Sequence, residues 1–215
     1  MKFFAHFLSW VFLPLFTPIY ALLIVFFIPS TPSSFFIWDS LYYYPPEAKL
    51  LYLLLFLVFI VLAPGLSMLV LKLNGSISSL DMPKREERKS PIIIMLFYTI
   101  VLYLFILFQQ ENNLVHFTLK GMALGGVVAS ALALIINYFE KISLHGIGLG
   151  ALIGFIYSYF IHMDKFNIGI FLLIIVLSGL TLSARLFLKL HTNKEILLGV
   201  LVGFGTQFFC IFFYP

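Results

Sequence analysis

Long stretches without a charged side chain recur along the whole chain, and they constrain its fold more than any other feature. Residues 50–61 and 91–108 are two examples, and both are continuously apolar. In lipid every backbone amide must find a partner within the span, so such a chain forms either helices or a closed barrel. Barrel strands alternate apolar and polar residues over about ten positions, and these stretches do not alternate. The sequence therefore predicts membrane-spanning helices.

The overall composition agrees with a membrane protein. Hydrophobic residues make up 62% of the 215 residues and charged residues 10%, and the mean hydropathy is +1.08. A soluble fold of this length cannot hide so much apolar surface. The single cysteine, Cys210, excludes an internal disulfide and leaves no partner for a cysteine-based metal site.

Seven segments are candidates for helices that cross a bilayer, which requires roughly 20 apolar residues. They are residues 7–28, 49–71, 91–108, 118–139, 146–163, 167–184 and 196–213. The first contains Pro14 and Pro18 and lacks a small-residue cleavage site, which indicates a retained span rather than a signal peptide. Because the connections are short, we expect one all-α transmembrane bundle over residues 1–215, with six to seven spans.

Glycine recurs at four-residue spacing in three of these segments. The positions are 121 and 125, then 146, 150 and 154, then 199 and 203. Small residues at this spacing let the backbones of neighbouring helices approach closely. The pattern predicts tight helix packing and requires no chemistry.

Positive charge is distributed unevenly between the two faces of the predicted bundle. Alternation of the seven spans places ten of the 13 Lys and Arg residues on one face and three on the other. The positive-inside rule would make the first face cytoplasmic. Four of the ten are candidates to hold an anion, and without them the balance is 6 against 3. The side of the membrane on which this face lies therefore stays open.

Three segments on the cation-rich face together supply histidine, arginine and acidic residues: 81–91, 140–146 and 183–195. Two predicted spans separate each segment from the next, so all three can meet at one membrane surface. In the first, four cations and three acids lie within nine residues. This pattern is typical of a solvated loop, or of cations that fold over a bound phosphate.

The segment 183–195 places a carboxylate close to a histidine. Glu195 follows His191 by four residues, so a helical turn would bring them to one face. A carboxylate bound to one imidazole nitrogen leaves the other free as a nucleophile or base, and Arg185 offers a planar set of donors for phosphate oxygens. The structural alternative is that Thr192 and Glu195 form a capping box. Arg185 and His191 would then be interfacial anchors.

The segment 140–146 places Ser143 and His145 immediately before a predicted helix. A helix N-terminus presents free amide donors that suit an anion, although Ser143 is equally suited to be an N-cap. Together, the three segments supply the parts of phosphoryl transfer through a histidine: a nucleophile, an acid for the leaving group, and cations for the phosphate oxygens. The motifs HExxH, DDxxD and GxSxG are absent, which counts against a zinc protease, an aspartate-rich prenyltransferase and a serine hydrolase.

At these residues the chain resembles the type 2 phosphatidic acid phosphatase (PAP2) superfamily of membrane lipid phosphatases, as a divergent bacterial branch. That family carries three blocks, K-x6-R-P, P-S-G-H and S-R-x5-H-x3-D. The third matches best, because Arg185, His191 and Glu195 keep its spacing, with Glu for Asp and Ala184 in the place of serine.

The other two blocks depart further from the family pattern. The second survives as ISLH at residues 142–145, without its proline and glycine. In the first, Pro91 follows a serine where arginine is expected, so Lys84, Arg85 or Arg88 would have to substitute.

The resemblance implies a metal-independent lipid phosphatase with a PAP2-like core and no cofactor. His191 would be the nucleophile that forms a phosphohistidine, Glu195 would orient it, and His145 would protonate the leaving alkoxide. The residues that would hold the phosphate are Arg185, Ser143, Lys141, Arg88 and Arg85.

The expected partners are a phosphorylated lipid substrate and membrane lipids, without nucleic acid. The expected location of this multi-pass protein is a bacterial inner membrane. The departures in the first two blocks leave a second hypothesis open, a catalytically silent relative that binds or moves phospholipid headgroups. A purely structural membrane component is a third. The sequence specifies neither the lipid nor the oligomeric state.

Overall fold

A computed structural model describes residues 2–33, 40–82, 84–109 and 116–214, and within them the chain is almost entirely helical. The eight helices are α1 Lys2–Val11, α2 Thr17–Phe27, α3 Pro46–Leu73, α4 Lys89–Phe108, α5 Phe117–Phe139, α6 Leu144–Phe160, α7 Ile168–Phe187 and α8 Asn193–Phe212. Helix α3 contains a π-helical segment, Leu57–Leu62. Two strands, β1 Thr31–Pro32 and β2 Met163–Lys165, pair antiparallel. Short 3-10 turns are Leu41–Tyr43 and Glu86–Arg88.

Five of these helices are long and apolar enough to cross a membrane: α3, α4 with its preceding 3-10 turn, α5, α7 and α8. They correspond to five of the seven predicted spans and indicate an integral membrane protein. Helix α6 is apolar but has only 17 residues. Its position agrees with the predicted span 146–163, although its length is below that of the other five.

The prediction of one continuous span over residues 7–28 is wrong. The chain instead forms α1 and α2, which are separated by residues 12–16. Pro14 lies in this break, and Pro18 occupies the first turn of α2. Because proline lacks an amide hydrogen and clashes with the preceding turn, it ends a helix but is tolerated where a helix begins.

Helix α6 lies at the centre of the bundle and packs against α2 and, most extensively, against α8. The α6–α8 contact is made through glycine. A methyl group built on Gly154 would lie 2.5 Å from the carbonyl oxygen of Phe204, and one on Gly199 would lie 2.6 Å from that of Ser143. The tight packing that the glycine spacing predicted is therefore confirmed.

A buried polar cluster fixes the end of the bundle that lies opposite the cation-rich segments. The hydroxyl of Tyr159, at the end of α6, lies 3.1 Å from the hydroxyls of Ser30 and Ser40 and accepts a hydrogen bond of 3.0 Å from the backbone amide of Leu41. These bonds connect the segment after α2 with the end of α6. Both helices therefore run from the cation-rich end to this one.

We predict that Gly154→Ala destabilises the protein, because the added methyl group would meet backbone rather than a flexible side chain. Overpacking of this kind costs about 1–3 kcal/mol, which should appear as a lower midpoint of thermal unfolding in detergent. Gly179→Ala in α7 is the matched control, since a methyl group there meets nothing within 4 Å. An unfolding midpoint of Gly154→Ala equal to that of Gly179→Ala would contradict the prediction.

Candidate active site

The three cation-rich segments meet at one end of the bundle, as the alternation of spans predicted. The backbone amide of Ser143 donates to the carbonyl of Glu195 at 3.2 Å, and the ammonium of Lys141 donates to the carbonyl of Leu190 at 2.9 Å. Arg88 donates from Nη1 to the carbonyl of Ile142. Main-chain carbonyls thus join the loop before α4, the loop before α6 and the loop before α8.

His191 and Glu195 form the closest side-chain pair of the site. Nδ1 of His191 lies 2.6 Å from Oε2 of Glu195, and the imidazole is almost completely buried. Because a carboxylate can only accept, Nδ1 carries the proton and Nε2 keeps its lone pair. Thr192 also caps α8 by accepting from the amide of Glu195 at 3.3 Å. The capping role and the histidine–carboxylate pair are therefore compatible.

The surroundings of His191 favour its neutral form. Burial lowers the pKa of His191 to about 3, and the positive charges of Arg88, Arg185 and Lys141 act in the same direction. Burial, followed by the charge of Arg88, also lowers the pKa of Lys141. A neutral imidazole with a free Nε2 beside three cations is suited to attack an anionic electrophile.

Two arginines are buried at this end of the bundle, with 2% and 3% of their surface exposed for Arg88 and Arg185. Arg88 donates from Nε to the carbonyl of Met82 at 3.0 Å. Arg185 donates from Nη1 to Oδ1 of Asp81 at 2.9 Å. Its Nε is buried and has no hydrogen-bond partner among the described residues. Arg185 therefore keeps a donor available and already binds one anionic oxygen.

Ser143 and His145 occupy the first turn of α6. The hydroxyl of Ser143 is fully buried and accepts from the amide of Gly146 at 3.1 Å, so Ser143 is the N-cap of α6. Nε2 of His145 lies 3.1 Å from the carbonyl oxygen of Ser9 in α1. Since a carbonyl can only accept, Nε2 of His145 carries the proton. Nδ1 is the nitrogen that Ser9 does not engage.

The three cations that could substitute for the arginine of the first motif lie in different surroundings. Arg88 lies in the buried cluster, whereas the side chain of Lys84 is exposed. Arg85 donates from Nη1 to the carbonyls of Tyr138 and Phe139 at 3.1 and 2.9 Å. It thus satisfies the carboxyl end of α5 and lies outside the group of charges that acts on His191.

A cavity of about 470 Å³ begins at this cluster and continues into the apolar interior. Its charged end is formed by Arg88, Arg185, His145 and Asp81. His191 and Glu195 are beside this end but do not line the cavity. In this structure His191 is therefore not part of the cavity wall.

Two contacts of the site have little or no signal in the sequence. The ion pair of Asp81 with Arg185 could have been inferred from opposite charges on segments that share a face. The contact of Ser9 with His145 uses a backbone carbonyl and has no signal in the sequence. It also depends on the break between α1 and α2, which the hydropathy pattern does not show.

Within residues 2–33, 40–82, 84–109 and 116–214, no group of three or more His, Cys, Asp or Glu is placed to hold a metal ion. Comparison of the chain with protein-family models, with curated proteins and with solved structures finds no match.

The lowered pKa of His191 predicts a loss of stability in acid. Between about pH 6.5, the ordinary histidine value, and about pH 3, the unfolded chain binds a proton at this residue and the folded chain does not. The free energy of unfolding should therefore fall as the pH falls through this window, by up to about 1.4 kcal/mol per pH unit from this group. The measurement is chemical unfolding in detergent at several pH values, with His191→Gln compared to the parent. Parallel pH profiles for the two proteins would contradict the assignment.

Proposed function

We propose that this protein is a metal-independent membrane lipid phosphatase that hydrolyses a lipid phosphomonoester or polyprenyl (di)phosphate through a phosphohistidine. The observation that carries the proposal is the buried His191–Glu195 pair beside Arg88 and Arg185. Its charge balance favours an anionic ligand, since three cations, Lys141 included, meet only two carboxylates, Asp81 and Glu195. The resemblance of the third motif to the type 2 phosphatidic acid phosphatase superfamily agrees with this chemistry.

In the proposed first step, Nε2 of His191 attacks phosphorus, and a P–N bond forms as the bond from phosphorus to the lipid oxygen breaks. Glu195 stabilises the positive imidazole that results. Arg88 and Arg185 stabilise the charge on the phosphoryl oxygens in the transition state. A phosphate dianion on the two arginines offsets their charge, so the protonated form of His145, which burial also opposes, becomes less unfavourable. His145 then gives a proton from Nδ1 to the leaving alkoxide, while Nε2 stays bound to Ser9.

In the second step, a water molecule attacks the phosphohistidine and the P–N bond breaks. His145, now neutral, takes a proton from this water, so the step releases inorganic phosphate and restores both imidazoles. The lipid alcohol and phosphate are the only products. All groups that move a proton belong to the chain, the substrate or water.

A second candidate function is binding of a phospholipid headgroup without turnover. This function is favoured because residues of the site already bind other groups of the protein: Asp81 pairs with Arg185, and the carbonyl of Ser9 bonds His145. Saturable binding of a lipid phosphate, without phosphate release over a broad panel of lipids, would support it. For either function, we propose a bacterial inner membrane as the location.

We predict that the purified protein releases phosphate from at least one lipid phosphate in the presence of EDTA and that vanadate inhibits this release. His191→Ala should lower the rate by about a thousandfold or more, as loss of a nucleophile does. The matched control is His162→Ala, a buried histidine at the opposite end of α6, which should keep the activity. Full release by His191→Ala would refute the mechanism.

We also predict that Asp81→Asn increases affinity for phosphate-like anions, because Asp81 competes with them for Arg185. The carboxylate of Asp81 is 46% exposed, and an ion pair of this kind is worth up to about 1 kcal/mol. The inhibition constant of vanadate should therefore fall by about two- to fivefold. Glu86→Gln in the same loop, which pairs with Arg85 instead, should leave it unchanged. An unchanged or higher constant for Asp81→Asn would show that Asp81 does not compete with the anion.

A further inference from the structure

A second pocket, of about 410 Å³, lies between the start of α1 and the end of α7. It is lined by basic and apolar residues, which are Lys2, His6, Phe187, Leu188, Lys189 and Leu190. These six include no acidic residue, and the side chains of the two lysines form no ion pair or hydrogen bond with the residues that the structure describes. Their positive charge is therefore available to an anion from outside the protein.

The pocket lies where a membrane-crossing helix reaches the level of the lipid headgroups. Helix α7 is long and apolar enough to span a bilayer and ends at Phe187, and the pocket residues 188–190 follow it directly. Helix α1 forms the other wall and packs against α7. Its Trp10 is 59% exposed, and tryptophan is typical of the boundary between lipid tails and headgroups. The anions nearest to this pocket are therefore the headgroups of bilayer lipids.

Lys189 has a left-handed backbone conformation, with φ of 55°. Its amide donates to the carbonyl of Leu186 at 2.9 Å, and the amide of Leu190 donates to the carbonyl of Arg185 at 3.1 Å. Glycine is the usual residue at such a helix end, because a side chain is strained there. Strain that is kept at one position is typical of residues with a function. The position of Lys189 on the pocket wall agrees with this interpretation.

The basic side chains of the pocket are arranged on two opposite segments. Lys2 and His6 lie four residues apart in α1, so they share one side of that helix, and Lys189 faces them from the end of α7. Two ammonium groups and an imidazole N–H can donate to several oxygens of one phosphate. The pocket is therefore suited to a phosphate that bridges α1 and α7.

An apolar stripe continues from this pocket along α7. Leu173, Leu180 and Phe187 recur at seven-residue spacing, and each is about half exposed. Seven residues make two helical turns, so the three side chains lie on one side of α7. A cationic pocket above an apolar stripe matches a phospholipid, with its phosphate in the pocket and an acyl chain along the helix. A soluble phosphate would use the pocket alone.

We propose that this pocket binds the headgroup of an anionic phospholipid of the bilayer and that the bound lipid holds α1 against α7. The site is separate from the catalytic one, because it uses neither His191 nor the two buried arginines. A ligand that binds only the folded chain stabilises it, so the lipid should raise the temperature of unfolding. The proposal does not depend on turnover.

The test measures the midpoint of thermal unfolding of the full chain in phosphatidylcholine nanodiscs that contain increasing fractions of phosphatidylglycerol. Phosphatidylglycerol should raise the midpoint of the parent. Lys2→Gln and Lys189→Gln should each lower the apparent affinity for it by about tenfold, as loss of a hydrogen bond to a charged group does. The matched control is Lys72→Gln, an exposed lysine at the end of α3 and outside the pocket. Because solvent screens its charge, this change should lower the affinity by less than about twofold.

Lys189→Gly separates the backbone strain from the ligand. Glycine relieves the left-handed conformation, so the midpoint in phosphatidylcholine alone should rise by about 2–4 °C. The additional rise with phosphatidylglycerol should be reduced as in Lys189→Gln. A variant that is more stable without the anionic lipid and responds less to it cannot be explained by misfolding.

Three results would overturn the proposal. An equal loss of affinity in Lys72→Gln would show general attraction to surface charge. Loss in Lys189→Gln without loss in Lys2→Gln would place the lipid at the cluster around Arg185. Stabilisation by glycerol 3-phosphate as large as that by phosphatidylglycerol would make a soluble anion the ligand. The expected lipid dependence in a protein that never releases phosphate would refute the phosphatase and leave this lipid site standing.

Discussion

The backbone contact between α6 and α8 aligns the two histidine-bearing segments. Lipid tails are as apolar as the surface of a helix, so burying that surface against another helix gives no hydrophobic stabilisation. Helix association in a bilayer therefore depends on close packing and on hydrogen bonds between helices. Gly199 lies against the carbonyl of Ser143, and about one turn earlier in α8 the carbonyl of Glu195 accepts a hydrogen bond from the amide of Ser143. The spacing between the carboxylate on one helix and the N-cap on the other is therefore fixed by main chain. This backbone contact therefore sets the positions of the side chains of the site.

The electrostatics of the site follow from this packing. Arg88 and Arg185 are buried where water cannot screen them, and guanidinium groups in such places need anionic or carbonyl partners. Arg88 uses main-chain carbonyls, and Arg185 uses Asp81 from a loop on the same face. Burial, together with the excess of positive charge, keeps His191 neutral, which is the form with a free lone pair. One arrangement of charges thus serves anion binding and the nucleophile together.

Much of this arrangement could be predicted from the sequence, because it depends on properties that repeat along the chain. Hydropathy located the five helices that are long and apolar enough to cross a membrane. Glycine spacing located the closest contacts, and alternation of spans brought the three charged segments to one face. Predictions were less successful where the structure depends on single contacts that do not repeat along the chain. Nothing in the sequence distinguishes Arg88 from Arg85 as the buried cation, since both lie in one charged loop and only the packing of that loop separates them.

Helix α1 connects the site to the surrounding lipid. Its Ser9 carbonyl holds the imidazole of His145, while Phe3, Phe7 and Trp10 have more than half of their surfaces exposed. Aromatic rings of this kind settle at the boundary between lipid tails and headgroups. The depth at which these rings rest in a bilayer would therefore set the position of the carbonyl that orients His145. We expect lipids of different headgroup size or lateral pressure to act on the imidazole through α1, without contacting it.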